Sequence, residues 1–200
     1  MFSNLLDKTN DLSATDRRFF LDGVTWAQYE TLRDTLDEFA GLRMTYLEGE
    51  LELFMPSREH ERIKTIIGRL IELYAIVRNI QLYGYGSTTY RQKAKQRGLE
   101  PDENYCLDRE KPFPDFAIEV VVTSGLIDKL EVYRGLDIPE VWVWQTDRID
   151  IYQLNNNRYE MSDRSQFLPD LDLDLLSRCV RIPDQHDAAI AFRNALNDVQ

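Results

Sequence analysis

A glutamate inside an otherwise apolar run is the feature that most constrains this chain. The run extends from Phe116 to Val122, and its content of branched apolar residues predicts a central strand buried on both faces. Glu119 lies in the middle of it. Burial of a carboxylate without a partner costs several kcal/mol, so Glu119 must be protonated, paired or bound to a cation. A functional site is therefore predicted here, with a purely structural salt bridge as the alternative.

A divalent cation at Glu119 would need a second carboxylate nearby, and two candidates precede it in the sequence. Asp115 lies four residues earlier in the same extended run, which at about 3.3 Å per residue places it roughly 13 Å away. Asp102 follows Pro101 and opens a different strand, and an antiparallel hairpin through residues 108–114 would set it beside Glu119. The sequence favours Asp102 as the partner, although a plain turn role for Asp102 stays open.

Hydrophobic periodicity and turn signals predict an α/β chain around this strand. Thr25 and Gln28 form a capping box for a first helix that ends before Gly41. The pattern predicts further helices over residues 58–77, 126–134 and 187–199, and strands over residues 44–47, 50–55, 88–94, 104–107, 141–144, 149–154 and 158–161. Thr123 and Ser124 are the expected caps of the third helix. The succession of strand, helix and strand across residues 116–144 implies a parallel crossover.

Size and composition favour one compact α/β domain over residues 1–200. The 200 residues are 43% hydrophobic, which is enough for a single core. No stretch has the apolar length of a signal peptide or a membrane span, so a soluble, cytoplasmic protein without membrane contact is expected. Cys106 and Cys179 form no C-x-x-C pair and are expected to be reduced.

A cluster of basic residues interrupts an otherwise acidic chain. The formal net charge is −11, which argues against binding of nucleic acid through bulk electrostatics. No acidic residue occurs between Leu73 and Leu99, and this window contains Arg78 and a closely spaced group of four, Arg91, Lys93, Lys95 and Arg97. Local contact with phosphates is one interpretation of these four residues. The exposed face of an edge strand is the other.

Five segments, in this order and spacing, carry a family resemblance: Gly84-Tyr85-Gly86-Ser87, Glu100-Pro101-Asp102, Pro114-Asp115-Phe116-Ala117-Ile118-Glu119-Val120, Lys129, and Ile138-Pro139-Glu140-Val141-Trp142. Together they resemble the bacterial Uma family of restriction endonucleases, within the PD-(D/E)XK nuclease superfamily. The resemblance extends from about Tyr46 to about Tyr152. It implies a restriction-endonuclease-like fold, in which helices flank a mixed central β-sheet, and a nuclease core over residues 44–155 with N-terminal and C-terminal extensions.

The same resemblance implies a metal-dependent endonuclease that hydrolyses DNA phosphodiester bonds. Asp102 and Glu119 would bind Mg²⁺ or Mn²⁺, and the metal would polarise a phosphate oxygen and help to generate hydroxide. The superfamily places a lysine two residues after the glutamate, but that position is Val121. Lys129 is the candidate replacement, with an ordinary surface lysine as the alternative. Such nucleases frequently act as homodimers, although no residue in this sequence identifies an interface.

Other polar residues near these motifs have a weaker claim to a role. Glu61 opens the long helix, where the superfamily often carries an acidic metal ligand, but acidic residues are favoured in a first helical turn in any case. His60 is expected to be structural. Glu48 and Glu52 are expected to face solvent, and Trp142 is expected to lie in the core with Trp144.

Two other classes of function compete with a nuclease. A catalytically silent module on the same scaffold, with a binding or regulatory role, is suggested by Val121 and by the acidic net charge. A nucleotide binder is suggested only by Gly84 and Gly86, and this pattern lacks the remaining spacing of a dinucleotide or P-loop motif.

Overall fold

The computed structural model describes residues 15–37, 39, 41–123, 125 and 127–198. Across these ranges the protein is a mixed α/β structure with two β-sheets and five α-helices. The chain groups into two compact units, each built from three separate segments. The first unit comprises residues 1–62, 89–100 and 122–136, and the second comprises the rest. The expectation of a single domain over residues 1–200 stays a prediction.

The first unit contains a five-stranded antiparallel sheet with the strand order β1-β3-β2-β6-β5. Its strands are β1 (Arg17–Leu21), β2 (Arg43–Leu47), β3 (Glu50–Met55), β5 (Tyr90–Gln92) and β6 (Arg97–Leu99). Its helices are α1 (Trp26–Leu36) and α3 (Lys129–Gly135), together with the first turn of α2 (Arg58–Val77).

Local sequence explains the start of the first unit. The Thr25 hydroxyl accepts a hydrogen bond from the Gln28 backbone and the Gln28 side chain accepts one from the Thr25 backbone, which confirms the capping box. The α1 helix then packs Trp26 and Tyr29 on Tyr46 of the sheet, with ring centroids 5.4 and 4.8 Å from that of Tyr46. The β2–β3 hairpin turns at Glu48 and Gly49, both at positive φ, as the turn signal predicts.

The second unit contains a six-stranded mixed sheet with the strand order β11-β10-β9-β8-β7-β4. Its strands are β4 (Leu82–Gly84), β7 (Glu103–Leu107), β8 (Phe116–Val120), β9 (Glu140–Gln145), β10 (Arg148–Asn155) and β11 (Arg158–Ser162). The β8 and β9 strands pair in parallel, as predicted, and every other pair in this sheet is antiparallel. The helices α4 (Leu173–Val180) and α5 (Gln185–Asp198) complete the unit with the rest of α2.

The core of the second unit lies between its sheet and the apolar faces of α2, α4 and α5. The apolar stripe of α2 contributes Ile66, Ile67 and Leu70, each fully buried. Phe116 on β8 stacks on Trp142 of β9 with ring centroids 5.0 Å apart. Trp142 is thus a core residue, as expected. Among the described residues, no helix is both long and apolar enough to cross a membrane.

The largest differences from the sequence-based boundaries concern one helix and one strand, and other predicted elements differ at their ends by one or two residues. The helix expected over residues 126–134 begins at Lys129, and its N-cap is Asp128, whose carboxylate accepts from the backbone of Leu130 and Glu131. The expected cap Thr123 lies before that helix, and Ser124 lies outside the described residues. The strand expected over 88–94 is only β5, because a 3₁₀ turn follows over Lys93–Lys95. Helix α4 and strands β1, β4 and β6 were not predicted.

Glu140 organises a polar cluster in the second unit. The side chain is fully buried, and its carboxylate accepts hydrogen bonds from Trp142 Nε1 at 2.6 Å and Ser165 Oγ at 2.5 Å. The backbone amide of Gln166 and the side chain of Gln153 donate to its other oxygen at 2.8 and 3.1 Å. Because these donors come from β9, β10 and the segment after β11, Glu140 ties that segment to the sheet.

Replacing Glu140 with alanine is expected to lower the free energy of unfolding by about 3 kcal/mol, because buried donors lose their charged acceptor. Urea denaturation of the Glu140→Ala variant measures this loss. Glu160→Ala is the matched control, since Glu160 is exposed on β11 and should change stability by less than about 0.5 kcal/mol. Equal stability of the two variants would contradict the structural role of Glu140.

Candidate functional site

Two buried carboxylates lie at the end of the β7–β8 ladder. The antiparallel ladder ends with Glu103 paired with Ile118, and Asp102 is the residue before β7, with its carboxylate bound to the amide of Val120 next to Glu119. Continuing the register by one residue aligns Asp102 with Glu119, and residues opposite each other in such a ladder point to the same face. Asp102 is 0% exposed and Glu119 is 2% exposed. The structure therefore brings together the two residues that the sequence singled out as a pair.

The backbone of β8 holds the Asp102 side chain in place. The amide of Val120 donates to Asp102 Oδ2 at 2.7 Å. The next amide, that of Val121, donates to the carbonyl of Trp144 at 2.8 Å and so continues the pairing of β8 with β9. The end of β8 is thus fixed from both sides, and the position of Asp102 is coupled to that of the strand that carries Glu119.

Asp115, the alternative partner in the sequence, takes part in different contacts. Its Oδ2 accepts from the backbone of Leu107 at 2.8 Å and from Lys111 Nζ at 2.5 Å. These contacts close the loop between β7 and β8. Asp115 therefore supports the hairpin that sets Asp102 opposite Glu119, and its carboxylate is engaged at the far end of that hairpin.

The chemistry of the Asp102–Glu119 pair suits a small divalent cation. Carboxylate oxygens are the ligands of Mg²⁺, which commonly binds to proteins through one or two carboxylates and keeps several waters. Within the described ranges, no group of three or more His, Cys, Asp or Glu side chains is arranged to hold a metal ion. Two carboxylates fit Mg²⁺ better than a metal that needs a full protein cage.

Glu61, the third metal ligand suggested by the sequence, belongs to the first unit. Its Oε1 accepts from Arg43 Nη2 at 2.5 Å, and its side chain is 40% exposed. This ion pair with a buried arginine gives Glu61 a structural partner. A role for Glu61 as a metal ligand stays a prediction.

Lys129 is the first residue of α3 and lies in the first unit. Its helix was predicted to begin at residue 126, which is wrong, because the helix begins at Lys129 itself. Its Nζ lies 5.7 Å from the ring centroid of Phe54, within the range of a cation–π contact. The assignment of Lys129 as the relocated lysine stays a prediction.

Four of the basic residues of the window from 73 to 99 lie on a hairpin of the first unit, whereas Arg78 lies in the second unit. Strands β5 and β6 pair with Tyr90 opposite Leu99, and the 3₁₀ turn between them forms the tip. Arg91, Lys93 and Lys95 are exposed there. Three cationic side chains are thus presented together, and their interpretation as a phosphate-binding group stays a prediction.

Arg97 differs from the other three basic residues because it is buried. It is 7% exposed, and its Nη2 donates to Glu48 Oε1 at 2.8 Å. Its Nη1 donates to the carbonyl of Lys95 at 2.9 Å, and a Cβ on Gly135 would lie only 2.6 Å from its Cγ. Arg97 therefore stabilises the tip of the hairpin through its hydrogen bonds to Lys95 and Glu48. Because its guanidinium is buried, direct contact with a phosphate is disfavoured.

The sequence interpretation missed a buried polar cluster in the first unit. Glu52 was expected to face solvent, but it is 1% exposed and its Oε1 accepts from Arg18 Nη1 at 2.8 Å. The Oε2 atom of Glu52 is buried without a hydrogen-bond partner. The sequence contained one indication of this burial. Phe54 lies two residues after Glu52 in β3 and so points to the same face, and a large apolar residue there indicates that the face is covered.

Asp16 and His60 extend this cluster. Asp16 Oδ1 accepts from the backbone of Ser57 at 2.8 Å, and Asp16 Oδ2 lies 3.8 Å from Nδ1 of the fully buried His60. Burial alone would raise the pKa of Asp16, but the contacts with His60 and Ser57 outweigh burial and hold this pKa well below its usual range. Asp16 is therefore ionised at neutral pH, and His60 has the structural surroundings that the sequence suggested.

Comparison with known proteins agrees with the resemblance in the sequence. The model of the Uma2 family, described as "Putative restriction endonuclease", matches residues 26–182. A solved structure from Anabaena variabilis, described as a "putative nuclease belonging to DUF820", is 14% identical, with 74% of this chain and 90% of that chain covered and a TM-score of 0.48. At that score the structural likeness carries no argument. No match was found among curated proteins.

Because the family model covers most of the chain, this protein belongs to the Uma2 family of restriction-endonuclease-like proteins.

Proposed function

We propose that this protein is a Mg²⁺- or Mn²⁺-dependent endonuclease that hydrolyses phosphodiester bonds in DNA. The single observation that carries the proposal is the pair of buried carboxylates, Asp102 and Glu119, opposite each other across β7 and β8. Membership of the Uma2 family supports nuclease chemistry at this pair.

The chain's own residues have distinct tasks in the proposed reaction. Asp102 and Glu119 would hold the metal, with Asp102 kept in position by the amide of Val120. A bound metal supplies Lewis-acid polarisation of the scissile phosphate and a hydroxide at neutral pH. Lys129 would stabilise the negative charge that develops on the phosphate, in place of the lysine that the superfamily has where this chain has Val121.

Substrate binding is assigned to the tip of the β5–β6 hairpin. Arg91, Lys93 and Lys95 are exposed on this tip, although Arg91 also lies 3.9 Å from Glu30. A protein with a net charge of −11 repels DNA over most of its surface, so binding requires such a local basic group. Affinity for DNA should accordingly be modest and strongly dependent on salt.

A second candidate function is a catalytically silent module that binds nucleic acid or a regulatory partner. The observation that favours it is Val121, which leaves β8 without the superfamily lysine. A silent module would keep the β5–β6 hairpin and its affinity for DNA, and would cut no substrate in any metal. The cleavage assay below separates the two functions.

Purified protein is expected to cut supercoiled plasmid with Mg²⁺ or Mn²⁺ and to be inactive in EDTA. The Glu119→Gln and Asp102→Asn variants should lose at least about a hundredfold in cleavage rate, because each removes one of two charged metal ligands. Circular dichroism of both variants checks that the fold is retained. Full activity of either variant would contradict the proposed site.

Two further variants sharpen this experiment. Asp150→Asn is the matched control, since Asp150 is a buried aspartate on β10 of the same sheet whose carboxylate is engaged by Gln145 and Arg148. It should keep a cleavage rate within a few-fold of wild type. Lys129→Ala should lose about a hundredfold if Lys129 replaces the missing lysine, whereas Lys64→Ala on α2 should have no effect.

The hairpin assignment predicts a change in the salt dependence of DNA binding. The double substitution Lys93→Ala with Lys95→Ala should make the slope of log K against log salt less steep by about 2, because two phosphate contacts are lost. Fluorescence anisotropy with a labelled duplex measures the slope. The double substitution Arg109→Ala with Arg158→Ala removes two exposed charges elsewhere and should leave it unchanged. Equal slopes for the two double variants would exclude the hairpin as the binding element.

A further inference from the structure

The loop that leads to Lys129 is held by a buried ion pair. Arg18 on β1 donates from Nη1 to Glu52 Oε1 at 2.8 Å and from Nη2 to the carbonyl of Thr123 at 3.0 Å. Thr123 belongs to the segment of residues 121–128, which connects the strand of Glu119 to the helix that begins at Lys129. One guanidinium therefore joins a buried carboxylate to this loop, and we refer to Arg18 and Glu52 as the clamp.

A second contact holds the same loop from the residue that precedes β1. The hydroxyl of Thr123 donates to Asp16 Oδ2 at 3.1 Å. Asp16 is itself fixed, because its other oxygen accepts from the backbone of Ser57 at the start of α2. The backbone carbonyl of Thr123 is thus bound by Arg18, and its hydroxyl is bound by Asp16. These two partners lie only two residues apart, at the start of β1.

Gly125 is packed directly against the clamp. A Cβ at this position would lie 2.5 Å from Glu52 Oε2 and 3.3 Å from Arg18 Nη1. The Glu52 carboxylate has little freedom to move away, because it is 1% exposed and bound to Arg18. Close approach of the loop backbone to the carboxylate therefore requires glycine here.

Lys129 and the clamp share an aromatic neighbour. The Arg18 guanidinium lies 3.9 Å from the ring centroid of Phe54, and Lys129 Nζ lies 5.7 Å from the same centroid. Phe54 is 2% exposed and packs edge-on against His60 at 5.1 Å. The Phe54 ring therefore contacts the guanidinium that binds Thr123 and also lies near the ammonium of Lys129.

We propose that Arg18 is a positioning residue for the nuclease reaction: with Glu52 it fixes the backbone at Thr123 and Gly125 and thereby the placement of the Lys129 ammonium. This inference rests on the proposed function, since it assigns Lys129 to catalysis. This role also explains why Glu52 is buried: a buried carboxylate bound to Arg18 has little freedom to move, and so it can hold the loop in one position. Displacement of a catalytic group by about 1 Å can cost a hundredfold in rate, so a loosened loop should reduce turnover and leave substrate affinity intact.

The test uses two variants of the full chain that retain the charge of the clamp. Arg18→Lys keeps a cation opposite Glu52 but loses the planar fork that reaches both partners. Gly125→Ala leaves Arg18 and Glu52 in place and adds the Cβ that the loop excludes. Arg62→Lys is the matched control, since Arg62 also pairs with a glutamate in the first unit, at 2.7 Å from Glu59.

Two quantities are measured for each variant: hydrogen–deuterium exchange of the peptide over residues 121–130, and kcat and KM for plasmid cleavage. Arg18→Lys and Gly125→Ala should exchange at least about tenfold faster in this peptide and lose at least about tenfold in kcat, with KM within twofold of wild type. Arg62→Lys should match wild type in both. Circular dichroism confirms that each variant is folded.

Three results would overturn the proposal. Unchanged exchange in both variants would show that the clamp does not hold the loop. Faster exchange with unchanged kcat would show that the loop does not position a catalytic group. Absence of cleavage by the wild-type protein would overturn the proposed function together with this catalytic role, and the exchange data would then separately decide whether Arg18 holds the loop.

Discussion

The antiparallel pairing of β7 with β8 is the interaction on which the candidate site depends. Its register places Asp102 opposite Glu119, and the Val120 amide fixes the Asp102 carboxylate at 2.7 Å. Both carboxylates are shielded from water. Oxygen ligands of this kind are the ones that Mg²⁺ prefers, so the pair is the candidate metal site.

Much of this site could be predicted because its signals are local. Glu119 interrupts an apolar run, and strand geometry alone separates Asp102 from Asp115 as its partner, since extended backbone fixes the distance along one strand. The turn at Glu48 and Gly49 and the capping box of α1 are equally local, because each depends on residues within four positions of one another. These features follow from backbone geometry and short-range hydrogen bonds.

The parts that could not be predicted depend on contacts between distant segments. Glu52 is buried by Arg18, 34 residues earlier, and Arg18 also binds Thr123, 105 residues later. Periodicity within β3 does not reveal which of its faces another segment will cover. The start of α3 was misplaced for a different reason: Thr123, a good capping residue, bonds to Asp16, and Asp128 caps the helix.

Metal binding by the carboxylate pair is the central claim, and calorimetric titration of Mn²⁺ into the protein without DNA tests it most directly. We predict saturable binding at one site in the wild-type protein, retained in Asp150→Asn and abolished in Glu119→Gln. The titration measures metal binding independently of catalysis. This matters because a catalytically silent module with an intact metal site would also bind Mn²⁺. Absence of Mn²⁺ binding by the wild-type protein, or equal binding by Glu119→Gln, would contradict the assignment of Asp102 and Glu119 as the metal site.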